Sequence, residues 1–255
     1  MDKDMREDQT VLFGRKPVLE ALRRGQGDVD SVWVRKGAGG REIGEVLDAC
    51  REHHVRFRLV EGRELDRLAP GNHQGVAARM TSRGFVDFPD LLDEALSAPL
   101  PLLVALDQVQ DPGNVGALAR TLYALGGAGM VMTRHHSALI GPGAVRASAG
   151  AVNLLPMAKV ANLAQSLDAC QEAGYRIYGT RALGQDQATV NVFKAELEFP
   201  AVLVLGSEES GVRPNVAKRC EIFLGIPFLR AFDSLNVAQA GGIVAAEFLR
   251  RRSKA

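Results

Sequence analysis

Aromatic rings are scarce in this chain: Phe, Trp and Tyr make up 5% of its 255 residues. That scarcity argues against a base-stacking platform built from rows of aromatic side chains. Cysteine is rarer still. Cys50, Cys170 and Cys220 stand far apart without paired spacing, which excludes a C-x-x-C metal or redox motif and leaves reduced, buried thiols as the expectation. No apolar stretch approaches the roughly 18 residues a membrane span needs. The first residues are charged rather than signal-like, so a cytoplasmic location is expected. An excess of either charge is also missing, with 31 Lys and Arg set against 30 Asp and Glu. Global charge therefore does not favour nucleic acid, and local basic clusters would have to carry any such contact. What remains is an ordinary globular composition, 46% hydrophobic and 24% charged, long enough for two domains or one large one.

Along the chain, residues 1–9 are almost all charged or polar and read as a disordered tail. Residues 10–80 alternate short strands with helices. Pro17 sits where a first helical turn belongs, and Val18, Leu19, Ala21 and Leu22 supply an apolar face. Val32-Trp33-Val34 reads as a strand, and Ile43, Val46, Leu47 and Cys50 fall at helical spacing. Val55, Phe57 and Leu59 alternate with Arg56 and Arg58 like a half-exposed strand. The basic clusters Arg15-Lys16, Arg23-Arg24 and Arg56/Arg58 could grip phosphates, though solvated surface charge is the plainer reading of each. Residues 81–100, with Gly84, Pro89 and Pro99, form a linker and at most a short helix.

From residue 101 onward the pattern is βαβα. Apolar runs at 102–106, 130–132, 177–180, 201–205 and 222–226 read as buried strands, separated by helical patterns at 114–125, 145–151 and 162–173. The expected fold class is α/β, a parallel sheet with helices on both faces. Ligands of such sheets bind just beyond the carboxyl ends of the strands.

Three polar clusters follow predicted strands. In the first, Asp111 to Gly116, Asn114 is a plausible N-cap of the next helix. Arg120 lies roughly 160° from the centre of that helix's apolar face. The second, Gly206-Ser207-Glu208-Glu209-Ser210-Gly211, is neither a P-loop nor a G-x-G-x-x-G turn. In the third, Ser234 is a plausible N-cap for a helix from 236 to 250, apolar around most of its circumference and carrying Gly241-Gly242. Such a helix is expected to be packed very closely, in a core or between subunits. His135-His136 have no carboxylate company, and no metal is expected.

Asn114-x-Gly116-x-x-x-Arg120, Gly206-x-Glu208-x-x-Gly211, and Ile226-Pro227 followed by Ser234-Leu235-Asn236-Val237 resemble the three ordered motifs of the SpoU (TrmH) family. That family comprises S-adenosylmethionine-dependent RNA ribose 2′-O-methyltransferases. The run from Phe13 to Leu22 and Asn72-His73-Gln74-Gly75-Val76-Ala77 resemble a subgroup acting on guanosine of bacterial large-subunit ribosomal RNA. The resemblance covers nearly the whole chain. It implies a small L30e-like α/β substrate-binding domain at 10–80, and at 101–255 a methyltransferase domain ending in a SPOUT-type deep trefoil knot. It also implies S-adenosylmethionine as cofactor, on the backbone at Gly206, Ile226 and Leu235, RNA as partner, and a homodimer formed through the last helix. Catalytic roles fall on Arg120, Asn114, Glu208, Ser234 and Asn236, with weaker RNA contacts at Arg15, Lys16, Arg23 and Arg24. Family accounts make the arginine a proton acceptor. Guanidinium groups keep their proton up to about pH 12, so stabilising an emerging alkoxide is the alternative role. The chain departs from the motif pattern at residues 229–233, where a glycine-containing segment is usual, and at Ala238 in place of serine. Relatives acting on transfer RNA or on adenosine, and a non-catalytic RNA-binding protein of the same fold, are the competing readings.

Overall fold

The computed structural model describes residues 11–23, 29–80, 85–184, 188–230 and 233–253. The expected tail at 1–9, Arg24, residues 81–84 of the linker, and Ala231 and Phe232 lie outside the described residues. Two compact units divide the chain, one of Met1–Arg83 with Ile140–Leu154, the other of Gly84–Leu139 with Leu155–Ala255.

The first unit contains β1 (Val11–Phe13), α1 (Arg15–Arg23), β2 (Val29–Arg35), α2 (Arg41–Glu52), β3 (Arg56–Val60), α3 (Gly62–Leu68) and β4 (Val76–Met80). Its sheet runs β1-β4-β2-β3. β4 is antiparallel to both neighbours, and β2 and β3 are parallel. Alternation along the strands sorts the side chains into two layers. Trp33, Val60 and Ala77 meet Leu65 and Ala69 from α3 and the turn after it. Val32 and Val34 on the other face are fully buried, with α1 packed on α2 nearby. β3 is an edge strand more exposed than its alternation suggests: Phe57 and Leu59 are both exposed.

The second unit is built from α4 (Phe88–Ala95), β5 (Leu100–Asp107), α5 (Pro112–Ala124) and β6 (Gly127–Thr133). After α6 (Pro142–Ser148) and a 3-10 turn, Ala151–Asn153, it resumes with β7 (Met157–Val160), α7 (Leu163–Glu172), β8 (Arg176–Thr180) and β9 (Thr189–Asn191). It closes with β10 (Ala201–Gly206), α8 (Pro214–Ala217), β11 (Ile222–Gly225) and α9 (Val237–Arg252). Its seven strands are all parallel, in the order β7-β6-β5-β10-β8-β11-β9. On one face Leu103, Ala105, Val202, Val204 and Ile177 pack with Leu91, Leu163 and Leu167 of α4 and α7. On the other lie α5 and α9, with Phe248 meeting Tyr178 edge-on at 5.3 Å. β9, three residues long, has no counterpart in the sequence reading. Its place in the chain puts the segment Ile140–Leu154 in the C-terminal domain at 101–255, whereas in the structure it packs with the first unit, where α6 contacts β1.

α9 accounts for its apolar circumference largely within the chain. A Cβ on Gly241 would stand 2.6 Å from Leu205 Cδ1 and 2.8 Å from Leu118 Cδ1, so the helix sits directly on α5 and β10. Gly242 has more room, 3.4 Å to Thr121 Cγ2. Gly242→Ala should therefore keep most of the roughly 1 kcal/mol that alanine gains over glycine in a helix. Gly241→Ala should lose stability, because overpacking costs about 1–3 kcal/mol. Urea unfolding of the two variants checks this; equal effects would mean that α9 does not rest on α5 as described. All three cysteines are free. Burial pushes the Cys50 thiol up to about 11 and those of Cys170 and Cys220 up to about 12, so none is a ready nucleophile. Among the described residues no helix is long and apolar enough to cross a membrane.

Candidate functional site

The site forms over the carboxyl ends of β5, β10 and β11, where the polar clusters emerge. Asp111, rather than Asn114, caps α5: its carboxylate accepts from the backbone N–H groups of Gly113 and Asn114, each at 3.1 Å. Asp111 alone has the extended backbone a cap needs, and the Asn114 side chain is released for other work. At α9 the cap is Asn236, not Ser234. Its Oδ1 accepts from Ala238 N at 3.0 Å and Gln239 N at 3.3 Å.

That cap has a chemical consequence. With Oδ1 turned to the helix, only the Asn236 amide NH2 faces outward, and it needs acceptors. It donates to Asn114 Oδ1 at 2.8 Å and to Glu208 Oε1 at 2.9 Å. Asn114 Nδ2 donates to the same Glu208 oxygen at 3.1 Å. The three motifs thus close on one another in a triangle of hydrogen bonds. An acidic side chain at 208 suits two convergent NH2 donors, since a carboxylate accepts without donating.

Glu208 is held by a short loop that β10 feeds. Ser207 N donates to Gly211 O at 3.2 Å and Gly211 N to Ser207 O at 2.9 Å, and the Ser207 and Ser210 hydroxyls meet at 2.7 Å. Gly206 is required by contact rather than by dihedral. A Cβ there would lie 2.0 Å from Gly211 C and 2.2 Å from Val212 N, inside backbone that cannot yield. Just beyond the loop, Arg213 locks onto Asp107 at the end of β5, through its N–H at 2.8 Å and its Nε at 2.7 Å. Asp107 is fully buried. Sequence reasoning missed this pair, whose only signal is a carboxylate terminating an otherwise apolar run.

A cavity of about 500 Å³ opens beside the loop, bounded by Gly206, Glu208, Ile226, Ser234 and Leu235, with Leu205 and Val244 among its apolar walls. That volume lies within the range of small-molecule and cofactor sites. Its character fits a nucleoside-bearing cation such as S-adenosylmethionine. Apolar side chains share the walls with polar ones, Arg181 among them, Gly206 lets the chain approach without a side chain, and the acid Glu208 stands at the rim. Ser234 is exposed. Arg120 is exposed on α5 and makes no hydrogen bond or ion pair among the described residues, so the triangle does not include it. Among the described residues no His, Cys, Asp and Glu cluster could hold a metal.

In the first unit, Arg15 is tied to the loop before β4. Its N–H donates to Gln74 Oε1 at 3.2 Å, its Nε to Gln74 O at 3.0 Å and its Nη1 to Glu42 at 3.4 Å. Arg23 pairs with Glu45 at 3.2 Å. A concavity of about 930 Å³ is lined by Arg15, Lys16, Arg35, His73 and Gln74. Pairs this exposed are worth at most about 1 kcal/mol, so a phosphate can compete for either arginine.

The sequence profile of the SpoU rRNA Methylase family matches residues 101–246, and that of RNA 2′-O ribose methyltransferase substrate binding matches residues 11–85. An uncharacterized tRNA/rRNA methyltransferase of Mycolicibacterium vanbaalenii is 35% identical over 252 residues, 98% of this chain and 79% of that protein. The 23S rRNA (guanosine-2′-O-)-methyltransferase RlmB of Pseudomonas syringae pv. tomato is 32% identical over 244 residues, 95% of this chain and 96% of that one. The crystal structure of the SpoU methyltransferase AviRb from Streptomyces viridochromogenes aligns with a TM-score of 0.75 at 23% identity, covering 100% of this chain and 93% of that chain. AviRb is also known in complex with the cofactor AdoMet. At that identity the likeness bears on the fold. With both profiles matched in order along the chain, this protein belongs to the SpoU family of RNA 2′-O-ribose methyltransferases.

Proposed function

We propose that this chain uses S-adenosylmethionine to methylate the ribose 2′-hydroxyl of a guanosine in large-subunit ribosomal RNA, as a cytoplasmic enzyme. The observation that carries the reading is the Asn114–Glu208–Asn236 triangle at the rim of the cavity bounded by Gly206, Ile226 and Leu235. The guanosine target is supported by full-length similarity to RlmB. Relatives of similar identity are described only as tRNA/rRNA methyltransferases, which keeps a transfer RNA target as the second reading.

When bound, the cofactor supplies a methyl group already activated by its sulfonium. The protein's task is then alignment and relief of the hydroxyl proton, and alignment alone can be worth about 7–11 kcal/mol. Gly206, Ile226 and Leu235 would hold the cofactor, with Ser234 at the edge. The triangle fixes Glu208 and Asn114 together, and the second N–H of the Asn114 amide is what remains to orient the RNA. Arg120 sits beside the emerging alkoxide, as its stabilising cation or its proton acceptor. The first unit supplies RNA contacts through Arg15, Lys16 and Arg23. A second copy packs on α9, which keeps half-exposed Gly242, Ile243 and Leu249 outside its own core. Threading of the chain between Gly206 and Asn236 as a trefoil knot is part of the same reading. It is supported by β10 lying between β5 and the earlier strand β8.

One assay tests this. Labelled S-adenosylmethionine is incubated with ribosomal RNA from cells lacking the enzyme, and the product is hydrolysed in alkali. Label in an alkali-resistant dinucleotide led by 2′-O-methylguanosine is the expected result. Label in single nucleotides means base methylation and overturns the reading. Resistant dinucleotides from transfer RNA alone select the second target.

A further inference from the structure

The first unit presents a basic surface away from the concavity around Arg15. Parallel pairing sets Arg56 beside Ser31 and Arg58 beside Trp33, and antiparallel pairing sets Arg79 beside Ser31 on the far side of β2. Paired residues share a sheet face, so the three guanidinium groups rise from one face across three adjacent strands. α3 covers the other end of that face, through Leu65 on Trp33, Val60 and Ala77.

Only some of the unit's cations are paired: among the described residues Lys16, Arg35, Arg63, Arg67 and Arg146 have no ion pair. Arg15, Arg23, Lys36, Arg41 and Arg51 each have a carboxylate within 3.4 Å. Arg79 has Asp30 at 2.5 Å and lies over the Trp33 ring at 5.9 Å. Arg56 and Arg58 are exposed, and neither has a hydrogen bond or ion pair among the described residues. Among the described residues, Asp30 is an acid whose charge interacts with Arg56. Its carboxyl is held below the usual carboxylate range, first by the Arg79 hydrogen bond and in smaller part by the nearby Arg56 charge. With Asp30 committed to Arg79, the patch keeps a positive surplus.

We propose that Arg56 and Arg58 form a second RNA-backbone site, each taking a phosphate of the RNA this enzyme acts on. Residues two apart on a strand lie roughly 7 Å apart on one face, close to the spacing of successive phosphates along one nucleic-acid strand. Phosphate contacts of this kind position the substrate without reading its sequence. Arg suits the task, because its planar fork matches phosphate oxygens. The site rests on the RNA-methylating reading above.

The competing account is that these charges merely guard the free edge of β3 against pairing with another sheet. Charge reversal separates the two, since R56E/R58E keeps a charged edge but repels phosphate. RNA affinity is measured from about 50 to 200 mM salt for wild type, R56E/R58E and R56Q/R58Q, with cofactor binding measured on each. Expected for R56Q/R58Q are an affinity loss of about tenfold or more and a salt slope shallower by about two. R56E/R58E should lose more, and cofactor affinity should stay unchanged in both. Wild-type slope and affinity in both variants would overturn the site, as would loss of an acidic protein partner with RNA binding intact. A wild-type protein that neither binds nor methylates RNA would instead defeat the functional reading itself.

Discussion

Changing Arg120 to alanine is expected to cut methyl transfer by about 100- to 1000-fold while cofactor binding survives. Removing one preorganised donor from a developing oxyanion costs about 2.7–4 kcal/mol in the transition state. The surroundings of Arg120 make the variant clean. It is exposed on α5, does not line the cavity and has no hydrogen bond or ion pair among the described residues, so neither the triangle nor the pocket depends on it. Arginine and alanine also differ little in helix propensity. Turnover on RNA and calorimetric binding of S-adenosylhomocysteine give the two readouts; near-normal turnover in R120A ends the assignment. R120K then divides the two roles. A protonated lysine still stabilises an alkoxide while the hydroxyl proton passes to solvent, so a stabilising role predicts partial activity that is lost as the lysine itself deprotonates. A proton acceptor must first lose its own proton. In that case the R120K rate should climb with pH towards the lysine range near about 10.4.

What the sequence made legible, and what it hid, follows from the range of the forces involved. Apolar runs such as 102–106 and 201–205 announce buried strands wherever they end up, and the parallel sheet with helices on both faces holds in the structure. Caps were harder. Asp111 and Asn114, like Ser234 and Asn236, are all good capping residues within one turn. The choice between them depends on which residue stays extended, and no composition records that. The consequence is large, because the uncapped Asn114 and the outward amide of Asn236 are what reach Glu208. The apolar girth of α9 was visible, but what it touches was not. Leu118 and Leu205 supply part of the contact that an interface was invoked to explain. The helical pattern read at 145–151 overlaps α6 only as far as Ser148, and it is the same whichever body the helix packs on, so grouping α6 with the first unit needed coordinates. β9 was too short to show a period at all.

The Asp107–Arg213 pair, likewise invisible in one dimension, yields the other large prediction: removing the arginine should hurt more than removing the acid. The two partners differ in their access to water. The Asp107 side chain is 0% exposed and that of Arg213 is 41% exposed. In Arg213→Ala the carboxylate keeps, among the described residues, the backbone N–H at residue 213 and stays buried without its counter-charge, a condition that costs about 3–5 kcal/mol. In Asp107→Ala the guanidinium turns to solvent, and the main loss is one backbone N–H left without an acceptor, about 1–3 kcal/mol. Urea unfolding at neutral pH compares them. The same variants should lose cofactor affinity in the same order, because Arg213 fixes the chain immediately after Ser207–Gly211, whose far end is the Gly206 wall of the cavity. Charge and position are separated by Arg213→Lys, which retains a cation and the backbone N–H but not the Nε bond of the guanidinium fork. If stability recovers in that variant and cofactor affinity does not, the pair aims the loop as well as neutralising the acid. An Asp107→Ala protein less stable than Arg213→Ala would show instead that the acceptor lost to the backbone of residue 213 matters more than the partner lost to the acid.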